Sequence, residues 1–264
     1  MANCHHLHHD GAANFLDICQ KTPLLNLYNV IVGVELEFYI SVKSPIKKIL
    51  QQYIELLQIN CELFVRVIEE KGENQFEIVF KPSLDLPQVA KNVITARNLA
   101  ASFFTGVIDF SAKPYKDDFG SAMHINISLH GKDDKNLFTK PVDYPETTVL
   151  LYAVAGLLST VENYYNCFIP SIDDKSRLDG RYMAPSHLCW GKNNRTALLR
   201  VVGKDQSRRL EHRLAGSNAS PWQVLTAILS GLEHGIKNKL MPPAPIFGNA
   251  YDPQYLLPEL DFTR

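Results

Sequence analysis

Four separated stretches of this chain put metal- or phosphate-binding side chains on one face of an alternating pattern. From Val30 to Ile40 the residues Val30, Val32, Val34, Leu36, Phe38 and Ile40 point one way, and Glu35 and Glu37 point the other. Phe76, Ile78 and Phe80 oppose Glu77; Met123, Ile125, Ile127 and Leu129 oppose His124, Asn126 and Ser128; Leu210 and Leu214 oppose Arg209, Glu211 and Arg213. One such strand reads equally well as part of an antiparallel sheet with a wet face. Four with complementary chemistry point further, because carboxylates at i and i+2 repel one another and strands disfavour glutamate unless a cation neutralises them. Hard carboxylate oxygens with one imidazole suit Mg2+ or Mn2+ rather than a structural zinc. Arginines interleaved with such ions suit phosphate oxygens. The chemistry these residues could do is the handling of a metal-bound phosphate ester or anhydride.

The same residues fall into motifs. Gly33-Val-Glu35-Leu-Glu37-Phe, Glu69 with Gln75 and Glu77, Lys113-Pro-Tyr, Gly120-Ser-Ala-Met-His124, Asn194-Arg195-Thr-Ala-Leu-Leu-Arg200, Arg208-Arg-Leu-Glu211-His-Arg213 and Asn218-Ala-Ser-Pro-Trp resemble, in order and in local spacing, the catalytic domain of the glutamine synthetase family. The resemblance covers roughly Val30 to Asp252. It implies a curved, largely antiparallel sheet whose concave face holds the active site, with helices on the convex face. It also implies ATP as co-substrate and two Mg2+ or Mn2+ ions. By motif, Glu37, Glu69 and Glu77 resemble the ligands of one ion, and Glu35, His124 and Glu211 those of the other. Arg195, Arg200 and Arg209 match positions that hold phosphate, with Asn126 and Ser128 beside the nucleotide. Arg177 and Arg213 match the arginines that hold the carboxylates of a glutamate-like acid, and Gly120 a backbone contact to its amino group. A surface salt bridge is the plainer reading of any one of these arginines, and a hydrogen-bonded core imidazole that of His124.

The departures from the family pattern carry information too. Arg177-Leu-Asp-Gly-Arg-Tyr-Met183-Ala-Pro185 aligns with a loop in which the family has a glutamate that shields the acyl phosphate and helps deprotonate ammonium; here that position is Met183, and a thioether takes no proton. Phe119 stands where the family usually has asparagine, and Asn126 where it has histidine. Only 29 residues precede Val30, so the family's N-terminal β-grasp domain and its C-terminal helices are expected to be missing from the chain. A homo-oligomer, or a separate chain supplying that domain, is the matching expectation.

Other features must position these residues. The chain has 264 residues, long enough for one large core. A net charge of −1 argues against a general nucleic-acid binder, and the apolar runs are too short to span a membrane. The five cysteines form no close-spaced pair, and with no signal peptide the expected setting is cytoplasmic, with reduced thiols. Residues 1–20, with Cys4-His5-His6-Leu7-His8-His9, read as a His-rich disordered tail, able at most to capture Ni2+ or Zn2+. Residues 21–264 read as the shortened catalytic domain. Apolar residues at helical spacing predict helices from Ile46 to Leu57, Pro87 to Phe104, Pro145 to Tyr165, and from an N-cap at Ser220 and first-turn Pro221 to Leu240. Beyond Pro242-Pro243-Ala-Pro245 the chain reads as a tail. Strands with helices between them, in irregular order, give an α+β domain.

The function expected from these residues is that of an ATP-dependent ligase. It would activate a carboxylate, that of the glutamate side chain in the first instance, as an acyl phosphate for attack by ammonia or a larger amine. The loss of glutamate at Met183 favours the larger amine. The rival expectation is a pseudoenzyme that keeps nucleotide and metal but does not turn over. A structural remnant that binds nothing fits least, since drift would erode a destabilising cluster of carboxylates.

Overall fold

The structure, a computed structural model, describes residues 4–41, 45–141 and 144–260. One eight-stranded sheet organises it. Its central strand is β1 (Asn29–Ile40), flanked by β3 (Gln75–Phe80) and then β2 (Phe64–Glu69) on one side. On the other side lie β5 (Met123–His130), β8 (Arg209–His212), β7 (Leu199–Val202) and β6 (Trp190–Lys192), and the short β4 (Ile108–Asp109) pairs with the end of β1. Every pairing is antiparallel except that of β6 with β7. The expected α+β class and largely antiparallel sheet are therefore present.

The alternation in sequence becomes a division between two faces. Val32, Val34, Leu36 and Phe38 of β1, Ile78 of β3, Ile125 and Ile127 of β5 and Leu210 of β8 are buried in a single core with the helices. The helix layer comprises α1 (Cys4–Lys21), α2 (Pro23–Leu27), α3 (Ile46–Asn60), α4 (Leu86–Phe103), α5 (Thr148–Thr160), α6 (Tyr165–Phe168) and α7 (Pro221–Asn238). Local chemistry sets their ends. Asp85 caps α4 by accepting a hydrogen bond from the Gln88 amide, and Thr147 caps α5 through the Leu150 amide. The expected helix over Pro145 to Tyr165 is accordingly shorter, starting at Thr148 and passing into a 3₁₀ turn after Thr160. α7 packs against α1, α4 and α5. At its crossing with α5 a Cβ on Gly156 would collide with the backbone of Gly231 and Gly235, and one on Gly235 with the Tyr152 carbonyl, so glycine sets how closely the two axes approach.

Two expectations are corrected. The segment read as a disordered tail is helical: α1 runs from Cys4 to Lys21, and Phe15 is fully buried with its ring 5.5 Å from that of Trp222 on α7. The side chains of the His-rich stretch 4–10 lie outside the described residues, and so does any metal capture by them. The stretch after Pro245 is no loose tail either. The Ile246 amide donates to the Trp190 carbonyl at 2.9 Å, the Leu188 amide to Pro258 at 2.8 Å and the Leu260 amide to Ser186 at 3.0 Å. Ile246 and Ala250 form a second small apolar cluster with Cys189 and Ala197. Cys19, Cys61, Cys167 and Cys189 are free thiols. Among the described residues no helix is long and apolar enough to cross a membrane.

Truncating a fully buried aromatic removes about 3–5 kcal/mol in a typical core. Phe15→Ala is expected to lower the melting temperature by roughly 6–12 °C for a chain of this length. Differential scanning calorimetry checks it; an unchanged transition would mean that α1 does not pack on α7 in solution.

Candidate active site

The register of the sheet, not any local turn, brings the polar residues together. Directly opposed residues of an antiparallel pair share a face. Glu37 lies opposite Glu77, Glu35 opposite His124, Asn126 opposite Glu211, and Glu211 in turn opposite Arg200. Five strands thus contribute one continuous row on the face away from the helices. A cavity of about 460 Å³ opens over it, lined by Glu35, Glu37, Glu77, His124 and Glu211 together with Gly120, Arg177, Arg195, Arg200, Arg209 and Arg213. The expected nucleotide residues Asn126 and Ser128 line an adjoining cavity of about 350 Å³, which shares Glu35, Arg66, Val79 and Arg209 with the first.

Glu69 is not part of this row. It pairs with Phe76, whose ring is on the apolar face, and it is exposed on the opposite side of the sheet from Glu77. The five carboxylates named from sequence therefore do not share one face, and the assignment of Glu69 as a metal ligand is corrected. Glu70 takes the place: Ile68 is the residue opposite Glu77, so the side chain two positions on returns to the same face, and Glu70 lines the cavity. A β-bulge between Phe64 and Arg66 and the turn before Gln75 fix this parity. Neither face of Phe64–Glu69 is cleanly apolar in sequence, so alternation alone could not choose between neighbouring glutamates. Arg66, Lys71 and His130 also went unnamed from sequence. His130 was within reach of the pattern, since it stands two residues beyond Ser128 and bonds to it, Nε2 to Oγ, at 3.1 Å.

The electrostatics are those of an overcharged cluster. Single oxygens of Glu37, Glu70 and Glu77 lie within 4.8 Å of one another, and so do atoms of Glu35, Glu77 and His124. His124 Nδ1 is 3.9 Å from Glu35, 3.9 Å from Glu37 and 3.8 Å from Glu211. Burial, then Glu35 and the other carboxylates, pushes Glu77 up to about 9. Burial and then Glu70 push Glu37 up to about 7. Burial and Glu211 raise Glu35 as well. Burial, with Arg213 next, holds His124 well below the usual imidazole range, leaving a neutral ring able to ligate. Glu211 goes the other way: burial would raise it, but His124, Arg213 and Arg200 outweigh that and bring it to about 2. Arg200 Nη1 donates to it at 2.8 Å, and Arg213 donates from the other side. The carboxylates other than Glu211 make no ion pair with arginine or lysine among the described residues, so a donor set of hard oxygens and one neutral imidazole is left to be neutralised by something else. That set fits Mg2+ or Mn2+, with Glu77 common to both groupings.

The row is rigidly backed. The Ala122 amide donates to a Glu37 carboxylate oxygen at 2.7 Å, and Ser217 Oγ donates to the Glu37 carbonyl. Half-buried Arg97 of α4 in turn donates to the carbonyls of Ser217 and, at 2.8 Å, Ala219. Arg177, from a 3₁₀ turn over Asp173–Arg177, donates to the carbonyls of Leu214 at 2.9 Å and Arg213 at 3.0 Å. A Cβ on Gly120 would lie 2.5 Å from Arg177 Cγ, so glycine is needed for the two to pass. Arg209 Nε donates to Asn126 Oδ1 at 2.8 Å, between the two cavities.

Glu77, pushed up to about 9, must take up a proton on folding at neutral pH, and replacing it by Gln removes that cost while keeping the shape. Glu77→Gln is expected to raise the metal-free melting temperature by about 2–4 °C, on the order of 1 kcal/mol. It should also abolish most of the further rise that Mn2+ gives the unsubstituted protein. Thermal melts with and without Mn2+ measure both, and a variant that still gains as much from the metal would remove Glu77 from the ligand set.

The comparisons with known proteins agree with this geometry. Residues 35–257 match the family described as glutamine synthetase, catalytic domain. Glutamine synthetase of Sulfolobus acidocaldarius is 30% identical over 228 residues, covering 79% of this chain and 47% of that protein. Gamma-glutamylputrescine synthetase PuuA of Escherichia coli is 27% identical over 212 residues, 79% of this chain and 45% of its own length. Glutamate–isopropylamine ligase of a Pseudomonas species is 32% identical over 189 residues, 69% of this chain and 40% of the other. A solved structure of a GmaS/ADP complex superposes with a TM-score of 0.77 at 18% identity, covering 95% of this chain and 64% of that one. The chain spans about half the length of the curated relatives it matches. With its sheet, its row of carboxylates and this match over most of its length, the chain belongs to the glutamine synthetase family.

Proposed function

We propose that the chain carries the catalytic centre of an ATP-dependent ligase that joins a glutamate-like acid to an amine larger than ammonia. The observation that supports this best is the convergence of Glu35, Glu37, Glu70, Glu77, His124 and Glu211 on one face, beside arginines that leave the carboxylates other than Glu211 unpaired. Relatives named for γ-glutamyl amides of putrescine, ethanolamine and isopropylamine fit the same reading. Glu35, Glu37, Glu70, Glu77 and His124 would hold the divalent cations, which when bound neutralise charge on the phosphates of ATP.

The roles of the other residues follow from their places. Asn126, Ser128 and Arg209 line the second cavity, which suits the nucleoside, and Arg209 reaches the first, which suits its phosphates. Arg200 and the exposed Arg195 offer forked donors to the oxygens of the transferred phosphoryl group, where positioning and charge stabilisation supply most of the catalysis. Arg177 and Arg213 take the carboxylates of the acid, and the Gly120 region its amino group. Arg177 is pre-set for this by its two backbone carbonyls, so little freedom remains to be lost on binding.

At the amine end Met183 supplies no proton acceptor where the family has a glutamate. Met183 lines the cavity in the left-handed region (φ 59°), with its sulfur 3.0 Å from Lys71 Nζ. Ammonium arrives as a cation and needs a carboxylate to hold it and take its proton, an effect worth on the order of a hundredfold. Amines that bind through their carbon substituents depend on it less.

Three experiments test the reading. ADP release with ATP, Mg2+ and glutamate should depend on an added alkylamine, with ammonia a poor acceptor; binding of ATP without turnover by any amine would favour the pseudoenzyme instead. Arg209→Ala should weaken ATP binding by about tenfold, as expected for loss of a charge-assisted contact worth about 1.5 kcal/mol, and equal affinity by calorimetry would remove Arg209 from the site. Met183→Glu should raise ammonia-dependent turnover at least several-fold relative to alkylamine turnover. An unchanged ratio would show that this position does not govern the amine.

A further inference from the structure

The far end of the cavity from the second pocket has a charge pattern that bears on the amine itself. Phe119 and Tyr182 form an edge-to-face pair, centroids 5.4 Å apart, and cations bracket it. Lys71 Nζ lies 5.8 Å from the Phe119 centroid, Lys113 Nζ 3.8 Å from that of Tyr182, and the Arg181 guanidinium 5.5 Å from the same ring. The carboxylates nearby are already committed. Asp179 bonds to Arg181, Asp118 accepts the amides of Glu73 and Phe119, and Glu70 is turned toward Glu37 and Glu77. Lys113 donates to the Asp118 carbonyl. Lys71 is exposed, lines the cavity, and among the described residues has no carboxylate partner; a thioether sulfur and an aromatic face are its contacts. Neither satisfies an ammonium as an oxyanion does.

Resting on the ligase reading above, we propose that Lys71 selects an amine that carries a negative charge, such as an amino acid, over a cationic diamine or a neutral alkylamine. An uncommitted ammonium at the mouth attracts the anionic end of such an acceptor and repels a second ammonium. The aromatic pair covers the carbon stem between the acceptor's carboxylate and its nucleophilic nitrogen. Met183 meets Lys71 with an uncharged sulfur where a glutamate would have formed a salt bridge with it and cancelled the preference. In the bond-forming step the amine nitrogen attacks the acyl carbon, the carbon–oxygen bond to phosphate breaks, phosphate leaves with the electron pair, and the nitrogen releases its proton to solvent.

The test compares three acceptors with the same primary amine, β-alanine, ethylamine and 1,3-diaminopropane, by amine-dependent ADP release and by saturation-transfer NMR of each acceptor with the protein. β-Alanine should be preferred over the diamine in both. Lys71→Ala should lower the ratio of β-alanine to ethylamine about fivefold, the scale of one partly exposed charge contact, and Lys71→Glu should invert the order of β-alanine and diamine. Turnover with no charge preference, or a rise in KM for glutamate with the acceptor ratio unmoved, would overturn the proposal and leave the ligase reading standing. Charge-selective binding of β-alanine that Lys71→Glu abolishes, without turnover of any acceptor, would uphold the proposal while the ligase reading fell.

Discussion

Like-charge repulsion among glutamates on one sheet face is the constraint the rest of this structure answers to. Burial raises Glu35, Glu37 and Glu77, and neighbouring carboxylates raise them further, Glu211 acting on Glu35, Glu70 on Glu37 and both Glu35 and Glu37 on Glu77, so the cluster opposes folding wherever it is ionised. What holds it is the opposite face of the same strands. Leu36, Phe38, Ile78, Ile125, Ile127 and Leu210 are all but inaccessible to solvent, and sliding any of these strands by one residue would expose them. Register is thus fixed by apolar burial, and the carboxylates are carried into proximity as a consequence. The Arg97–Ser217–Glu37 bonds fasten the row to the helices behind it. Strain of this kind concentrates where a ligand relieves it.

How much of this could be read from the sequence depended on how one-sided each strand was. β1 and β5 alternate without exception over their functional stretch, so Glu35, Glu37 and His124 were legible from parity alone. β2 was not: Val65, Val67 and Glu69 on one side face Arg66, Ile68 and Glu70 on the other, both sides are mixed, and a bulge resets the count. The choice between Glu69 and Glu70 is made by pairing with β3, a non-local fact. The two segments read as tails failed for a related reason. α1 is held by Phe15 against Trp222, and the stretch after Pro245 by backbone bonds to Trp190, Leu188 and Ser186, and none of these contacts leaves a local period in the sequence. The Phe15 contact joins residues more than two hundred positions apart.

The two ends of the cavity are built by different means. The end proposed above for phosphate sits on strands, with Arg200, Arg209 and Glu211 locked by cross-strand pairing. The end proposed above for the acceptor sits on the irregular segment that runs from Arg177 through the 3₁₀ turn Gly180–Tyr182 to Met183. That segment is joined to the sheet mainly through main-chain acceptors: the Arg177 guanidinium bonds to the carbonyls of Leu214 and Arg213, Arg213 Nη2 reaches the Met183 carbonyl at 3.4 Å, and the Tyr251 hydroxyl donates to the Ala184 carbonyl at 2.7 Å. The bonds to the Met183 and Ala184 carbonyls do not depend on which side chains positions 182 and 183 carry. Tyr182 and Met183 can therefore be exchanged without moving the strands that hold the carboxylates, because no sheet hydrogen bond passes through them. Positive φ at Met183 turns the backbone so that its side chain meets Lys71 from the β2–β3 turn. On the reading proposed above, acceptor chemistry would be set where one loop touches another, while the phosphoryl chemistry would rest on strand pairs that substitution in those loops leaves intact.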